Sequence, residues 1–489
     1  VTDHEAGPET VLGAGRVTDS QEGTRMGESP SAVVTAAMTL FLVLAVLSVS
    51  YVLALVVPFV RGRPRPPGDA SRFDWHILVP CLNEAAVIGE TVTRLREAFP
   101  LAHLWIVDDA SDDDTAAIVT RFQRDDPLLH LVSRRPPHAR SGKGDALNAA
   151  YRALAARIPE SSPADRVVIG VFDADGVPAP DCLDVVAAPH LLGDPSVDAV
   201  QIEVRMRNRD ERHPRPDAGP VRNLLARTLV RMQDIEFRAA VPAIQAARTF
   251  TGTVSLGGNG QFVTLDALRT LDDDPDRGGP WRNSLLDDYE LALHLALAGR
   301  RTACTRDTWV EQEALWDAGR LLVQRTRWSQ GTMQCARHLP AAWRSRRLST
   351  PAVAEISYSL LQPWLQLFVS AVCPVLLILA VGQMTERAGS TGQPVQWWLI
   401  AGYALLAVVQ FGMWGPLYRA KCEPSQGLWR SVGWGFAYTA YVWCYSLATW
   451  RALARHLRGR GSWAKTRRNA EAALPSQASA VPLEDAKSR

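Results

Sequence analysis

Three acidic pairs and one basic–aromatic string carry most of the chemistry this chain could do. The pairs are Asp108-Asp109, Asp173-Ala174-Asp175 and Asp287-Asp288, and the string is Gln324-Arg325-Thr326-Arg327-Trp328. Asp173 and Asp175 follow the wholly apolar run 167–172, so they end a central strand. Two carboxylates at that spacing can share a divalent cation. Oxygen ligands that leave positions for water or phosphate suit Mg²⁺ or Mn²⁺, and such a cation would neutralise a leaving diphosphate. Asp108 and Asp109 follow the apolar run 104–107, where an acid can accept from a nucleobase N–H or from ribose hydroxyls. The same acids could instead serve the helix that follows, with Ser111 or Asp112 as its cap. Asp287 and Asp288 open a helical pattern. A carboxylate there can take a proton from a hydroxyl, or it can simply favour the helix dipole. Arg327 can clamp a diphosphate, and Trp328 offers a flat face for stacking on a sugar ring. Gln324 and Trp328, four residues apart, share a helical face. A plainer reading makes this string a membrane-surface helix, which Arg337, Arg344, Arg346 and Arg347 would extend.

Two weaker signals accompany these. Pro80-Cys81-Leu82-Asn83-Glu84 closes an apolar run and opens a helix, where free N–H groups could meet a base or phosphate. Ser141-Gly142-Lys143-Gly144 puts a lysine between small residues before a helix, where backbone and ammonium could approach phosphates. Its spacing is not that of a P-loop.

The elements that must position these groups are legible. Short apolar runs at 75–80, 104–107 and 167–172 read as buried strands, and helical patterns at 85–97 and 115–124 lie between them. This alternation predicts an α/β domain with a mostly parallel sheet. Ligands of such sheets sit beyond the carboxyl ends of the strands, where the acids are. The net charge of +2 argues against nucleic acid as a partner. The seven scattered cysteines form no CxxC pair, which suits a reducing compartment.

Apolar runs bracket this domain. Residues 1–31, with six acids and two bases, read as a disordered acidic tail. Residues 32–60 read as a membrane helix, 61–333 as the α/β domain and 334–352 as a basic interfacial segment. Residues 353–452 read as C-terminal spans, and 453–489 as a basic and then disordered tail. Arg61, Arg63 and Arg65 place the domain in the cytoplasm by the positive-inside rule. Four runs, 32–60, 353–381, 396–418 and 431–450, would put both termini outside. The basic stretch 451–468 argues for a cytoplasmic end, a conflict that one re-entrant or flat-lying segment, or one misjudged span, would remove.

The order of these motifs resembles the membrane-embedded family 2 glycosyltransferases, the group that includes cellulose, hyaluronan and poly-N-acetylglucosamine synthases. The resemblance spans roughly 75–335. It implies a GT-A fold, a nucleotide-sugar donor, a divalent cation, and a plasma-membrane, multi-pass enzyme whose catalytic domain is cytoplasmic. It implies base recognition by Asp109, with Pro80, Glu84 and Lys143 around the nucleotide. Asp173 and Asp175 match the DxD pair, the second on the metal. Asp288 matches the general base that ends the TED motif, although Thr and Glu are replaced by Leu286 and Asp287. Gln324, Arg327 and Trp328 match QxxRW, a motif typical of members that add many sugars, so Trp328 is expected at the acceptor. Residues 251–261 fall where the family shapes its acceptor site. The expected product is a β-linked polysaccharide, with accessory export proteins as possible partners. The alternatives are a single transfer to a lipid and a membrane scaffold with a decayed site.

Overall fold

A computed structural model describes residues 32–159, 161–216, 218–272, 278–282, 284–392 and 394–459. The expected acidic tail 1–31, and the C-terminal tail from residue 460, lie outside the described residues.

The α/β domain is built on one eight-stranded sheet. Its strands are Asp74–Cys81 (β1), His103–Asp108 (β2), Leu129–Ser133 (β3), Val167–Val171 (β4), Val177–Pro178 (β5), Ala199–Met206 (β6), Gln261–Thr264 (β7) and Thr302–Gln312 (β8). The spatial order is β3-β2-β1-β4-β7-β6-β8-β5. β3, β2, β1 and β4 run parallel, as do β6 and β8, while β7 runs antiparallel to both β4 and β6. The strands are apolar because both faces are covered. Trp75, Ile77, Val79 and Cys81 of β1 feed one core and Leu78 the other, following the alternation of a strand. Parallel pairing brings the carboxyl ends of β1, β2 and β4 to one edge, which places Pro80, Asp109 and Asp173 side by side.

Among the described residues, three helices are long and apolar enough to cross a membrane: Ala32–Arg61, Thr350–Ser390 and Trp397–Lys421. Leu42, Val46, Ile378 and Leu405 on them are exposed, as lipid-facing residues must be. Near one end of this group Phe59 meets Trp414, with ring centroids 6.0 Å apart, and Lys421 donates to the Val60 carbonyl. At the other end Val34 and Ala37 pack with Ala380, Met384 and Leu399.

The fourth expected run, 431–450, lies within the helix Leu428–Leu457, which is not among those three. This helix carries polar side chains that bind the α/β domain along its length. Tyr445 donates to Glu236 at 2.7 Å, and Arg455 donates to Gln330 at 3.0 Å. It also packs on the helix Trp397–Lys421, where Thr439 donates to the Val408 carbonyl at 3.4 Å, so it joins the domain to the membrane-length helices.

The helix Thr350–Thr391 has Pro363 and Pro374 in its interior. Its first turns sit under the domain, where Ile356 and Leu360 pack on Leu293, Ala296 and Cys335. Ser359 there hydrogen-bonds the Tyr289 hydroxyl at 2.7 Å, and Glu355 accepts from Thr253 at 2.9 Å.

Candidate active site

A cavity of about 580 Å³ opens beyond the carboxyl ends of β1, β2 and β4. All ten side chains singled out in the sequence as site candidates line it. At its centre the Lys143 ammonium donates to Asp173 Oδ1 at 2.7 Å and to the Gly258 carbonyl at 2.9 Å. Burial pulls the Lys143 pKa down, but Asp173, Asp287 and Asp288 outweigh it and the net shift is upward, so the site holds a firm cation. A Cβ on Gly258 would lie 2.6 Å from Lys143 Nζ and 3.1 Å from Asp288 Oδ2. A side chain there would push the lysine tip away from its present place between the acids. Gly144 has a different role from the one expected. Its Cβ would sit 2.6 Å from the Arg282 carbonyl, so it is small to pack against that segment rather than to admit a phosphate.

Asp287 and Asp288 are the first two residues of the helix Asp287–Leu297. Burial, then the neighbouring Asp288, pushes the Asp287 carboxyl up to about 7. Asp288 is also raised, by burial first and with Asp173 adding to it; Lys143, the Tyr289 N–H and Arg327 oppose the shift. The Tyr289 N–H donates to Asp288 Oδ1 at 2.7 Å. Asp287 Oδ2 and Arg327 Nε are buried without a hydrogen-bond partner among the described residues. Burial lowers the Arg327 pKa from its ordinary value against the pull of Asp287, Asp288 and Asp173. The helix Ala318–Cys335 presses on this turn. A Cβ on Gly331 would lie 2.6 Å from Leu286 Cγ, and Gln334 accepts from the Leu285 N–H at 3.2 Å.

Asp173 and Asp175 follow β4. Asp175 Oδ2 accepts from the Glu313 N–H at 3.4 Å, and Asn259 accepts from the Asp173 N–H at 3.3 Å. Lys143 takes Asp173 Oδ1, and both Asp173 and Asp175 present carboxylate oxygens to the cavity. That chemistry fits Mg²⁺ or Mn²⁺. A second group of potential metal ligands, Glu290, His294 and His338, lies elsewhere. There Glu290 already accepts from Arg337 at 2.6 Å and hydrogen-bonds His338 at 2.8 Å. Arg337 is thus tied into the domain, not simply a membrane-surface arginine.

The first two loops differ from expectation. The helix after β1 starts at Ile88, not Ala85, and the N–H groups of the turn are not free for a ligand. Those of Asn83, Glu84 and Ala85 donate to Ser111 Oγ at 2.9 Å, Thr115 Oγ1 at 2.8 Å and Asp113 Oδ2 at 3.0 Å. Ser111 and Asp112 therefore do not cap the next helix, whose Thr115 N–H is met by Asp113 at 3.0 Å. Asp109 is buried, pairs with Arg134 and accepts from the Arg140 N–H at 3.0 Å. Arg134 and Glu313 carried no signal in the sequence, because their partners are distant in the chain. In Gln324–Trp328, Gln324, Arg327 and Trp328 line the cavity while Arg325 turns away into the protein.

A cation site, buried cations facing it and a raised carboxylate at 288 together suit displacement of a diphosphate by a hydroxyl. Residues 74–331 match the family model described as "Glycosyltransferase like family 2", over half the chain. The chain belongs to glycosyltransferase family 2. This glycosyltransferase is 31% identical over 278 residues to the beta-monoglucosyldiacylglycerol synthase of Synechocystis sp. The match covers 55% of this chain and 51% of that protein. The namesake from Trichormus variabilis is also 31% identical, over 53% of this chain and 48% of its own. The chain thus spans about half the length of these curated relatives. Among solved structures it resembles a mannosyltransferase from Pyrobaculum calidifontis in complex with GDP-mannose and Mn²⁺. The TM-score is 0.52 at 19% identity, covering 88% of this chain and 99% of that one. That likeness bears out the GT-A fold. The expected family holds, whereas the narrower likeness to polysaccharide synthases is not what these relatives carry.

Proposed function

We propose that this glycosyltransferase moves one sugar, with inversion, from a nucleotide-diphosphate sugar to the hydroxyl of a membrane lipid. The observation that carries the reading is the Asp288 carboxylate beside Lys143 and Arg327 in a cavity that also takes in the apolar Phe237, Val241, Pro242 and Leu315. Leu315 shares a core with Phe59 of the first membrane helix. Pro80, Glu84 and Asp109 line the nucleoside end. Asp175, with Asp173, would hold Mg²⁺ or Mn²⁺, which when bound supplies charge neutralisation to the leaving diphosphate. Lys143 and Arg327 face the same diphosphate. Asp288 accepts the proton of the acceptor hydroxyl. The acceptor oxygen bonds to the anomeric carbon as the bond to the phosphate oxygen breaks, so an α-linked donor gives a β-linked product. Trp328 stacks on the acceptor.

The curated relatives, whose names describe a glucolipid, support the lipid reading over the polymer one. Gln324–Trp328 favours a processive synthase, to which export partners would belong. Retained acids at 109, 173, 175 and 288 speak against a decayed scaffold. The test uses purified protein in vesicles containing diacylglycerol, a panel of UDP- and GDP-sugars, and Mn²⁺ or Mg²⁺. A single-sugar glycolipid is expected; a ladder of longer products would overturn the reading.

The same reading places the catalytic domain in the cytoplasm of a cell-membrane enzyme. Arg61, Arg63, Arg65, Lys421, Arg455 and Arg458 all lie in segments next to the domain, as the positive-inside rule requires. Reporters fused near residue 70 and after residue 459 should both read cytoplasmic, and one within 1–25 external. An external residue 70 would remove the domain from its cytosolic donor and sink the scheme.

A further inference from the structure

We infer that Glu236 is a positioning residue for the acceptor, acting through Arg325 on Trp328. The inference rests on the acceptor reading of Trp328 given above. Arg325 is 3% exposed although it stands in the middle of the Gln324–Trp328 string. Its Nη2 donates to Glu236 Oε2 at 2.7 Å and to the Tyr441 hydroxyl at 2.9 Å. Its guanidinium carbon lies 4.1 Å from the centroid of the Trp328 ring and 5.0 Å from that of Tyr445. A cation at that distance holds an aromatic face electrostatically, and more strongly where water is excluded. Phe237 meets Trp328 edge-on, with centroids 6.1 Å apart. The indole is thus held by two groups that are not in the donor half of the site.

Glu236 fixes the guanidinium that fixes the indole. Its two oxygens are both engaged. Tyr441 donates to Oε2 at 2.8 Å and Tyr445 to Oε1 at 2.7 Å. Among the described residues it is the one carboxylate paired with Arg325, whose Nε and Nη1 are buried without partners. Removing one member of a buried ion pair leaves the other uncompensated. Arg325 would then be driven to move, and Trp328 with it. The backbone points the same way. Glu236–Ala240 is a π-helical turn between the helices Pro220–Ile235 and Val241–Thr249. Such turns add a residue that re-aims side chains and recur at functional sites. Here the turn brings Glu236 and Phe237 together onto the cavity wall.

The chain of contacts reaches Trp328 but not Lys143, Asp173, Asp175 or Asp288. Loss of Glu236 should therefore separate acceptor use from donor use, which a clamp serving only to dock the helix Leu428–Leu457 would not do. Transfer to the acceptor and hydrolysis of the donor by water are measured on the same folded preparations, together with donor binding. For Glu236→Gln, kcat/KM for the acceptor should fall about tenfold or more, mostly through KM, with hydrolysis and donor binding within about twofold of wild type. Tyr445→Phe keeps the charge and removes one hydrogen bond, so it should shift the same ratio by less. Where Glu236→Gln fails to fold, Arg325→Met combined with Glu236→Gln removes both buried charges, and it should show the same loss of acceptor use. Transfer and hydrolysis falling together, or neither changing in folded protein, would overturn the inference. If the wild type takes a glycan instead of a lipid, the lipid reading falls, and the same ratio is read on the glycan.

Discussion

Asp288→Asn should bind nucleotide sugar as the wild type does and transfer it roughly 10²–10⁴-fold more slowly, the usual weight of a general base. Donor binding should survive, because the proposed reading gives the nucleoside and diphosphate to other residues, among them Asp109, Lys143 and Arg327. Transfer also carries a pH signature. A base works only when deprotonated, and the Asp288 pKa is raised by burial and by Asp173. Wild-type kcat/KM should therefore rise with pH through a limb above the ordinary carboxylate range of about 4. The limb should vanish in Asp288→Asn. A mutant that transfers normally would move the proton acceptor to Asp287, whose Oδ2 is buried without a hydrogen-bond partner among the described residues.

Asp175→Asn should remove most transfer, by about 10²-fold or more, with the thermal transition unchanged. The acid sits at the rim of the sheet, outside both packed cores, so the amide can replace it without opening a cavity. Mn²⁺ binding, followed by titration calorimetry, should weaken in parallel, and a chelator should silence the wild type. Asp173→Asn is the informative companion. It loses a cation ligand and also the partner of Lys143, so its loss should be at least as large. Normal turnover by Asp175→Asn, or activity that survives chelation, would exclude the pair as the cation site.

The sheet and the acids at its edge were legible because both obey local rules. An apolar run that ends in Asp173 or Asp109 announces a buried strand and its mouth within a few residues. What was not legible depends on partners far apart in the chain. Asn83, Glu84 and Ala85 looked like free backbone donors, and only the fold shows Ser111, Thr115 and Asp113 occupying them. Gly144 looked like a phosphate-loop glycine, yet what it makes room for is Arg282, well over a hundred residues away. Arg327 was singled out by its motif and does line the cavity, but nothing in the sequence announced that Arg325 would be buried against Glu236 and Tyr441. The run 431–450 reads as a span in the sequence, but the helix that holds it falls short of the hydropathy of the other three, and Tyr441 and Tyr445 answer Glu236 across some two hundred residues. Gly258 carried no charge to notice, although its carbonyl takes the Lys143 ammonium at 2.9 Å and the space beside its Cα holds the tips of Lys143 and Asp288.

The helix Thr350–Ser390 is 41 residues long. At about 1.5 Å per residue it measures roughly 60 Å, twice the ~30 Å thickness of a bilayer core. Its far portion packs on the other membrane helices, and its first turns hold Tyr289, the residue beside Asp288, through Ser359. The carboxylate proposed to react is thus mounted on a helix rather than on a loose tether, and on the proposed reading its height above the hydrocarbon follows a count of residues, with Pro363 and Pro374 as the places where that helix can bend. Each residue added to it between the domain and the bilayer would lift the site by about 1.5 Å and swing it by about 100°. If the acceptor is the proposed membrane lipid, it would meet the site only at the level that this helix sets.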